Sequence, residues 1–172
     1  LANNIEKIRN GGFSQASDAT GGCVIAIDVH SGEILAMASN PSYDPNVWIG
    51  GISVADYNVI KENNALFNKA ISGAYAPGSI FKMITALAGL ESGVVSTTDR
   101  INDTGVYTRY KDYQPVCWYY STYHRGHGYL NVSGAIQHSC NYFFYEIGNR
   151  MVIDVLEKYE RYYELGSKKG NE

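Results

Sequence analysis

The period of the hydrophobic positions changes several times along the 172-residue chain, and each change marks an element. Leu1, Ile5 and Ile8 recur at helical spacing before Gly11-Gly12, which predicts a short amphipathic helix over 1–10. Residues 13–21 are small and polar and read as a loop. Two apolar runs, 23–27 and 33–38, then flank Asp28-Val29-His30-Ser31-Gly32 and predict a β-hairpin, with both strands apolar enough for a central place in a sheet. A turn-rich exit over 40–46 leads into an irregular stretch over 47–74 with one short helix near 54–60. From Ile80 to Leu90 the residues are apolar almost all round, the pattern of a buried helix, opened by Pro77-Gly78 and closed by Ser92-Gly93. Residues 94–130 keep no long period and are crowded with aromatics, among them Tyr107, Tyr110, Tyr113, Trp118, Tyr119 and Tyr129. They read as a packed excursion covering a core edge, with a carbohydrate or peptide groove as the sharper alternative. Helical patterning returns over 132–137, breaks at Ser139-Cys140-Asn141 and resumes over 142–151. Asp154 and Glu157 then form a capping pair for a last helix ending near Tyr163.

Composition narrows the classes of function. Hydrophobic residues make up 45%, enough for the core of one domain or part of one. The net charge of −3, with no basic run, argues against nucleic acid as a partner. No apolar run reaches membrane-spanning length, and the first residues lack a signal-peptide pattern, so any anchor of an exported parent lies outside this chain. Cys23, Cys117 and Cys140 are odd in number and widely spaced, which is not the pattern of a disulfide framework.

One polar pair breaks the apolar helix. Ser79 and Lys82 are three residues apart at its mouth and therefore share a face, so the amine points where apolar side chains belong. A lysine held in a dehydrated pocket loses part of its preference for the charged form and can take the proton of a nearby serine. Ser79 also stands at the positive end of the helix, where backbone N–H groups can face a developing oxyanion. The bland alternative is an N-cap serine beside a solvated lysine. The buried character of the helix and the Ser139-x-Asn141 pair, 60 positions on, favour the chemical reading.

Five segments in order carry a family likeness: 28–38 (Asp28-x-x-Ser31-Gly32-Glu33-Ile34-Leu35-Ala36-Met37-Ala38), 40–46 (Asn40-Pro41-Ser42-Tyr43-Asp44-Pro45-Asn46), Asn68-Lys69-Ala70, Tyr75-x-Pro77-Gly78-Ser79-x-Phe81-Lys82, and Ser139-Cys140-Asn141-x-Phe143-Phe144-Tyr145. Over residues 1–170 the chain resembles the transpeptidase domain of class B penicillin-binding proteins, closest to the elongation and sporulation types, whose motif set begins with Ser-x-x-Lys. The resemblance implies an α/β fold of the serine β-lactamase and penicillin-binding-protein kind, an antiparallel sheet plus a helical subdomain with the active serine at their junction. It further implies a peptidoglycan D,D-transpeptidase that cross-links stem peptides ending in D-Ala-D-Ala and is acylated by β-lactam antibiotics. Ser79 would be the nucleophile, Lys82 its base, Ser139 a proton relay, and Asn141 the group that holds the substrate amide and the Lys82 amine in register. The implied setting is the extracytoplasmic face of the cell membrane, in cell-wall synthesis and cell shape, with a glycosyltransferase as working partner. A serine β-lactamase and a non-catalytic penicillin-binding sensor module are the competing functions.

One departure matters. The family's third motif, Lys-Thr-Gly on an edge strand, is expected well over a hundred residues after Ser-x-Asn, and Lys168-Lys169-Gly170 follows a helix instead. Residues 1–172 are therefore expected to form the N-terminal part of one transpeptidase domain, weak or inactive alone.

Asp103, Cys117, His127 and Cys140 are zinc-ligand types drawn from separate loops around the aromatic excursion, where a metal would tie down a segment that has no ladder of its own. The resemblance adds that some elongation-type relatives carry zinc next to the second motif, although Cys117 stands where an Asp is often found and 119–124 look like a short insertion. The other readings are a small buried residue for Cys140 and a loop-packing hydrogen bonder for His127, with His124 as a competing ligand. His138 reads as surface, His30 as a turn residue and Cys23 as an inert buried thiol.

Overall fold

The structure is a computed structural model that describes residues 1–11 and 18–166. The chain divides into two compact units, Leu1–Tyr75 and the segment from Ala76 onward, and each is treated by itself.

The first unit opens with α1 (Ala2–Arg9), whose Ile5 is buried and lies near where a Gly22 side chain would begin. Strands β1 (Gly22–Ile27) and β2 (Ile34–Asn40) pair antiparallel from Gly22↔Asn40 to Ile27↔Ile34, with one irregularity at Ala26/Ile27. The Asp28 carboxylate accepts the N–H groups of His30 (2.7 Å) and Ser31 (2.9 Å), and Gly32 takes φ 76°, so the turn chemistry read from the sequence forms the hairpin. Asn68-Lys69-Ala70 runs beside β2, where Ser39 Oγ accepts the Lys69 N–H at 3.1 Å. Helix α2 (Val54–Glu62) is capped by Ser53 and follows a 3₁₀ turn over Pro45–Trp48. Both hairpin faces expose apolar side chains, Val24, Ile27 and Leu35 among them.

The second unit is mostly helical. A 3₁₀ turn over Gly78–Phe81 runs into α3 (Lys82–Glu91), followed by β3 (Ile101–Asp103), α4 (Trp118–Tyr123), β4 (Gly128–Leu130), α5 (Val132–Gln137), α6 (Asn141–Arg150) and α7 (Ile153–Tyr162). Its core joins Ala86 of α3, Val95, Ile101, Cys117, Val132 and Ala135 of α5, Cys140, and Phe143, Phe144 and Ile147 of α6. Full burial of a side chain such as Phe143 or Ile147 stabilises by about 1.5–3 kcal/mol. Gly89 lets α3 come close to Val95 and Ile147, since a Cβ there would sit 3.2 Å from Val95 Cγ1.

Three expectations need correction. The helix after Ser79 is not buried all round, because Ile80, Met83 and Leu87 form a stripe that is 69%, 55% and 37% exposed while Thr85, Ala86, Ala88 and Gly89 face the core. An apolar composition says that a face wants a partner and cannot say whether this chain supplies it. The excursion over 94–130 holds a small antiparallel sheet, β3 with β4, paired Ile101↔Leu130 and Asp103↔Gly128, too short to leave a period in the sequence. Asp154 does not cap α7, since it lies in the first turn after Val152, and Glu157 pairs with Arg161 instead. The decoy Lys168-Lys169-Gly170 lies outside the described residues.

Candidate active site and metal centre

All eight candidate site residues fall in the second unit, and the break between α5 and α6 organises them. Asn131 caps α5 by accepting the Gly134 N–H (3.0 Å). At the other end the Ser139 N–H reaches Ile136 O (3.0 Å) and the Cys140 N–H reaches Ala135 O (2.9 Å), the paired bonds of a Schellman C-cap. Ser139 fills the left-handed position of that cap, φ 48°, where glycine is usual and another residue pays roughly 1–2 kcal/mol. Glycine there would lack the hydroxyl. Cys140 then caps α6, its Sγ accepting the Phe143 N–H at 3.5 Å, so Asn141 opens the next helix.

This turn faces Lys82. The amine Nζ lies 2.8 Å from Ser139 O, 3.0 Å from Ser139 Oγ and 2.5 Å from Asn141 Oδ1. Two of these acceptors carry no hydrogen, so each takes an N–H of Lys82 whether the amine is charged or neutral. A neutral amine so held has its lone pair confined to the remaining direction. Burial lowers the Lys82 pKa from its ordinary value, and the negative potential of nearby Cys117 and Cys140 only partly opposes this. Ser79 lies one turn before Lys82, exposed, and its hydroxyl makes no hydrogen bond among the described residues. The structure thus brings Lys82, Ser139 and Asn141 together and sets Ser79 at the adjoining helix mouth.

Directly behind the turn, Asp103, Cys117, His127 and Cys140 converge, with one ligand atom from each lying within 4.8 Å of every other. Asp103 Oδ2 meets His127 Nδ1 at 2.6 Å and accepts the Cys140 thiol at 3.2 Å, while Cys117 Sγ is 3.7 Å from His127 Nδ1. The Asp103 and His127 side chains are 1% and 5% exposed and both cysteines are fully buried. Burial raises the Asp103 pKa, but hydrogen bonds from His127, Cys140 and the Gly105 and His127 N–H groups outweigh it and leave the carboxyl below its ordinary value. Burial pushes the Cys140 thiol far above its usual range, so a thiolate there needs a cation beside it. Two thiols, an imidazole and a carboxylate in a dry pocket suit zinc and are a poor set for calcium or magnesium. His127 Nε2 is buried with no hydrogen-bond partner among the described residues.

Loop packing sets this convergence. β3 and β4 carry Asp103 and the approach to His127 on adjacent strands, and Gly126 is needed because a Cβ there would fall 2.0 Å from Asp103 O. His124 is not in the cluster; it ends α4 in the left-handed region, φ 54°, with its ring against Tyr120. His138 is exposed, its ring 5.7 Å from that of His127, and His30 is exposed in the hairpin turn of the first unit. Of the aromatics, Tyr107 is buried and donates to Glu146 Oε2 (2.7 Å), whereas Tyr110, Tyr113 and Tyr129 are exposed. Trp118, expected only as one of the aromatics packed over a core edge, also donates its indole N–H to His138 O (3.1 Å) and Ser139 O (3.2 Å). Its one signal in sequence is adjacency to Cys117.

Several known proteins are similar to this chain in sequence and fold. Peptidoglycan D,D-transpeptidase MrdA of Acinetobacter baumannii is 36% identical over 157 residues, covering 87% of this chain and 22% of its own. The crystal structure of Pseudomonas aeruginosa PBP2 in complex with WCK 5153 matches with TM-score 0.76 at 35% identity, over 89% of this chain and 35% of that one. The complex between penicillin-binding protein PBP2 and MreC from Helicobacter pylori matches with TM-score 0.78 at 30% identity, over 87% of this chain and 27% of that one. This chain therefore spans about a fifth of the curated relative's length. The family model for the penicillin binding protein transpeptidase domain matches residues 22–172, and with these likenesses it shows that the chain belongs to the penicillin-binding-protein transpeptidase family.

Proposed function

We propose that this chain carries the front half of a serine D,D-transpeptidase centre, with Ser79 as nucleophile, Lys82 as base, Ser139 as relay and Asn141 as the positioning amide. The observation that carries the reading is the seating of the Lys82 amine on Ser139 and Asn141, which orients a lysine of lowered pKa across the Ser-x-Asn turn. Ser79 Oγ attacks the carbonyl of the penultimate D-Ala as its proton passes to Lys82. The tetrahedral intermediate collapses with cleavage of the C–N bond, and the amine of the terminal D-Ala leaves with a proton relayed through Ser139. An amine of a neighbouring stem peptide then attacks the Ser79 ester, forms the cross-link and frees the hydroxyl. A β-lactam enters the first half of this sequence and stays as the ester.

The setting follows from the substrate: peptidoglycan lies outside the cytoplasm, so the parent works at the outer face of the cell membrane beside a glycosyltransferase that makes the glycan strand. The similar protein from H. pylori is seen in a complex with MreC, which supports a partner of that kind for the parent. Asp103, Cys117, His127 and Cys140 would hold a structural zinc, which would keep both thiols ionised and tie together the loops behind the catalytic turn.

The test is intact-mass analysis of the full-length protein after exposure to benzylpenicillin. One stoichiometric adduct, absent in Ser79→Ala, is expected; no adduct, or one that survives Ser79→Ala, refutes the reading, and steady turnover of the drug makes the protein a hydrolase. For the metal, elemental analysis should find one zinc per chain in the purified protein and a large loss in Cys117→Ser. Unchanged zinc content and melting temperature in that variant would remove Cys117 from the site.

A further inference from the structure

We propose that Trp118 is a positioning residue of the transfer centre, its indole N–H holding the Ser139 carbonyl that aims the Lys82 amine; this deepens the reading of that centre given above and rests on it. Lys82 owes the direction of its lone pair to two obligate acceptors, Asn141 Oδ1 and Ser139 O. Asn141 Oδ1 belongs to the first residue of α6, whose backbone the helix fixes. Ser139 O belongs to a residue in the left-handed region at φ 48°, where a non-glycine residue persists only when its surroundings hold it. If the peptide between Ser139 and Cys140 rotates toward a relaxed conformation, the carbonyl swings away and the amine loses one of its two fixed hydrogens.

Two donors meet that carbonyl among the described residues, Lys82 at 2.8 Å and the Trp118 indole at 3.2 Å, and the indole also takes the preceding carbonyl, His138 O, at 3.1 Å. A single donor that bridges two successive carbonyls fixes the orientation of both peptide groups. The base of the indole is itself held, because the Cys117 N–H donates to Gly105 O at 2.8 Å and Cys117 is fully buried. The ring lies edge-on to Tyr119 (5.6 Å) and His127 (5.8 Å). Trp118 nevertheless remains 42% exposed, so packing alone does not account for a tryptophan at this position. The N–H is the part that phenylalanine cannot supply, and it connects the Cys117 loop to the turn that bears the relay serine.

The experiment uses the full-length protein with Trp118→Phe, and with Trp118 replaced by 3-benzothienylalanine, which keeps the bicyclic shape and exchanges the N–H for sulfur. Acylation by a fluorescent penicillin is followed at several concentrations to separate the first-order acylation constant from the pre-covalent binding constant. The expected result is a fall of at least about tenfold in the acylation constant for both variants, as a misaimed base predicts, with binding constant, melting temperature and zinc content unchanged. Full acylation in the benzothienyl variant overturns the proposal. So does a loss confined to Trp118→Phe and matched by a lower melting temperature, which assigns Trp118 to packing. Labelling of Ser79→Ala, or none of the wild type, brings down the reading of the centre itself and is distinct from either result.

Discussion

Ser139 shows how one residue can carry opposed demands. Its place in the C-cap of α5 favours glycine, and its hydroxyl and carbonyl both meet the Lys82 amine, so the strain of φ 48° is retained for a contact that glycine would lose. Lys82 faces a similar conflict, since burial disfavours its charge and lowers its pKa while the acceptors around it accommodate either state. A base must be neutral to act, so the sign is settled: acylation by penicillin is weak at low pH and rises as Lys82 loses its proton, through a midpoint below the ordinary lysine value. A pH–rate profile of the full-length protein checks this, and a limb at or above the ordinary lysine value would show that the amine is solvated. Lys82→Arg, which cannot deprotonate, should lower the acylation constant by at least about a hundredfold.

At the scale of elements, short pieces with little period of their own place the candidate ligands. β3 and β4 pair over three residues each, and α4 has six, yet they bring Asp103, Cys117 and His127 against Cys140. The excursion is also tied to α6 by the bond from Tyr107 to Glu146 and by one from Tyr110 to Asn149. The tolerances here are tight. Gly126→Ala would place a Cβ 2.0 Å from a backbone oxygen that β3 cannot easily move, so the variant should lose about 1–3 kcal/mol of stability. Thermal unfolding of Gly126→Ala beside Gly148→Ala, a helix position with open space at its Cβ, gives the comparison. Equal melting temperatures would mean that the β3–β4 crossing is looser than this packing implies. The sequence could place α5, the break and α6, because together they leave one helical pattern over 132–151, interrupted at Ser139-Cys140-Asn141. It could not place the β3–β4 ladder, whose register depends on partners 25–29 positions apart, 29 for Ile101↔Leu130.

For the molecule as a whole, the exposed apolar surface is the informative feature. The hairpin bears Val24, Ile27 and Leu35 in the open, α3 bears Ile80 and Met83, and a two-stranded hairpin alone is marginal in water. A polypeptide of these 172 residues should therefore bind the dye ANS and self-associate at micromolar concentration, whereas the full-length protein should do neither. A monodisperse, dye-silent fragment in analytical ultracentrifugation would show that these faces are satisfied within it. The sequence alone determined the order and type of the longer helices, the hairpin turn with its Asp28 and Gly32, the family, and the identity of the Ser-x-x-Lys and Ser-x-Asn pairs, because each is written in residues adjacent in the chain or one helical turn apart. Only the tertiary structure decided that the Lys82 amine reaches Ser139 and Asn141, that four ligand atoms from separate loops converge, and that an indole bridges two carbonyls 20 and 21 residues away. Such meetings depend on loop closure and on which carbonyl a strained turn presents, quantities that arise only when distant segments pack and that no local pattern encodes.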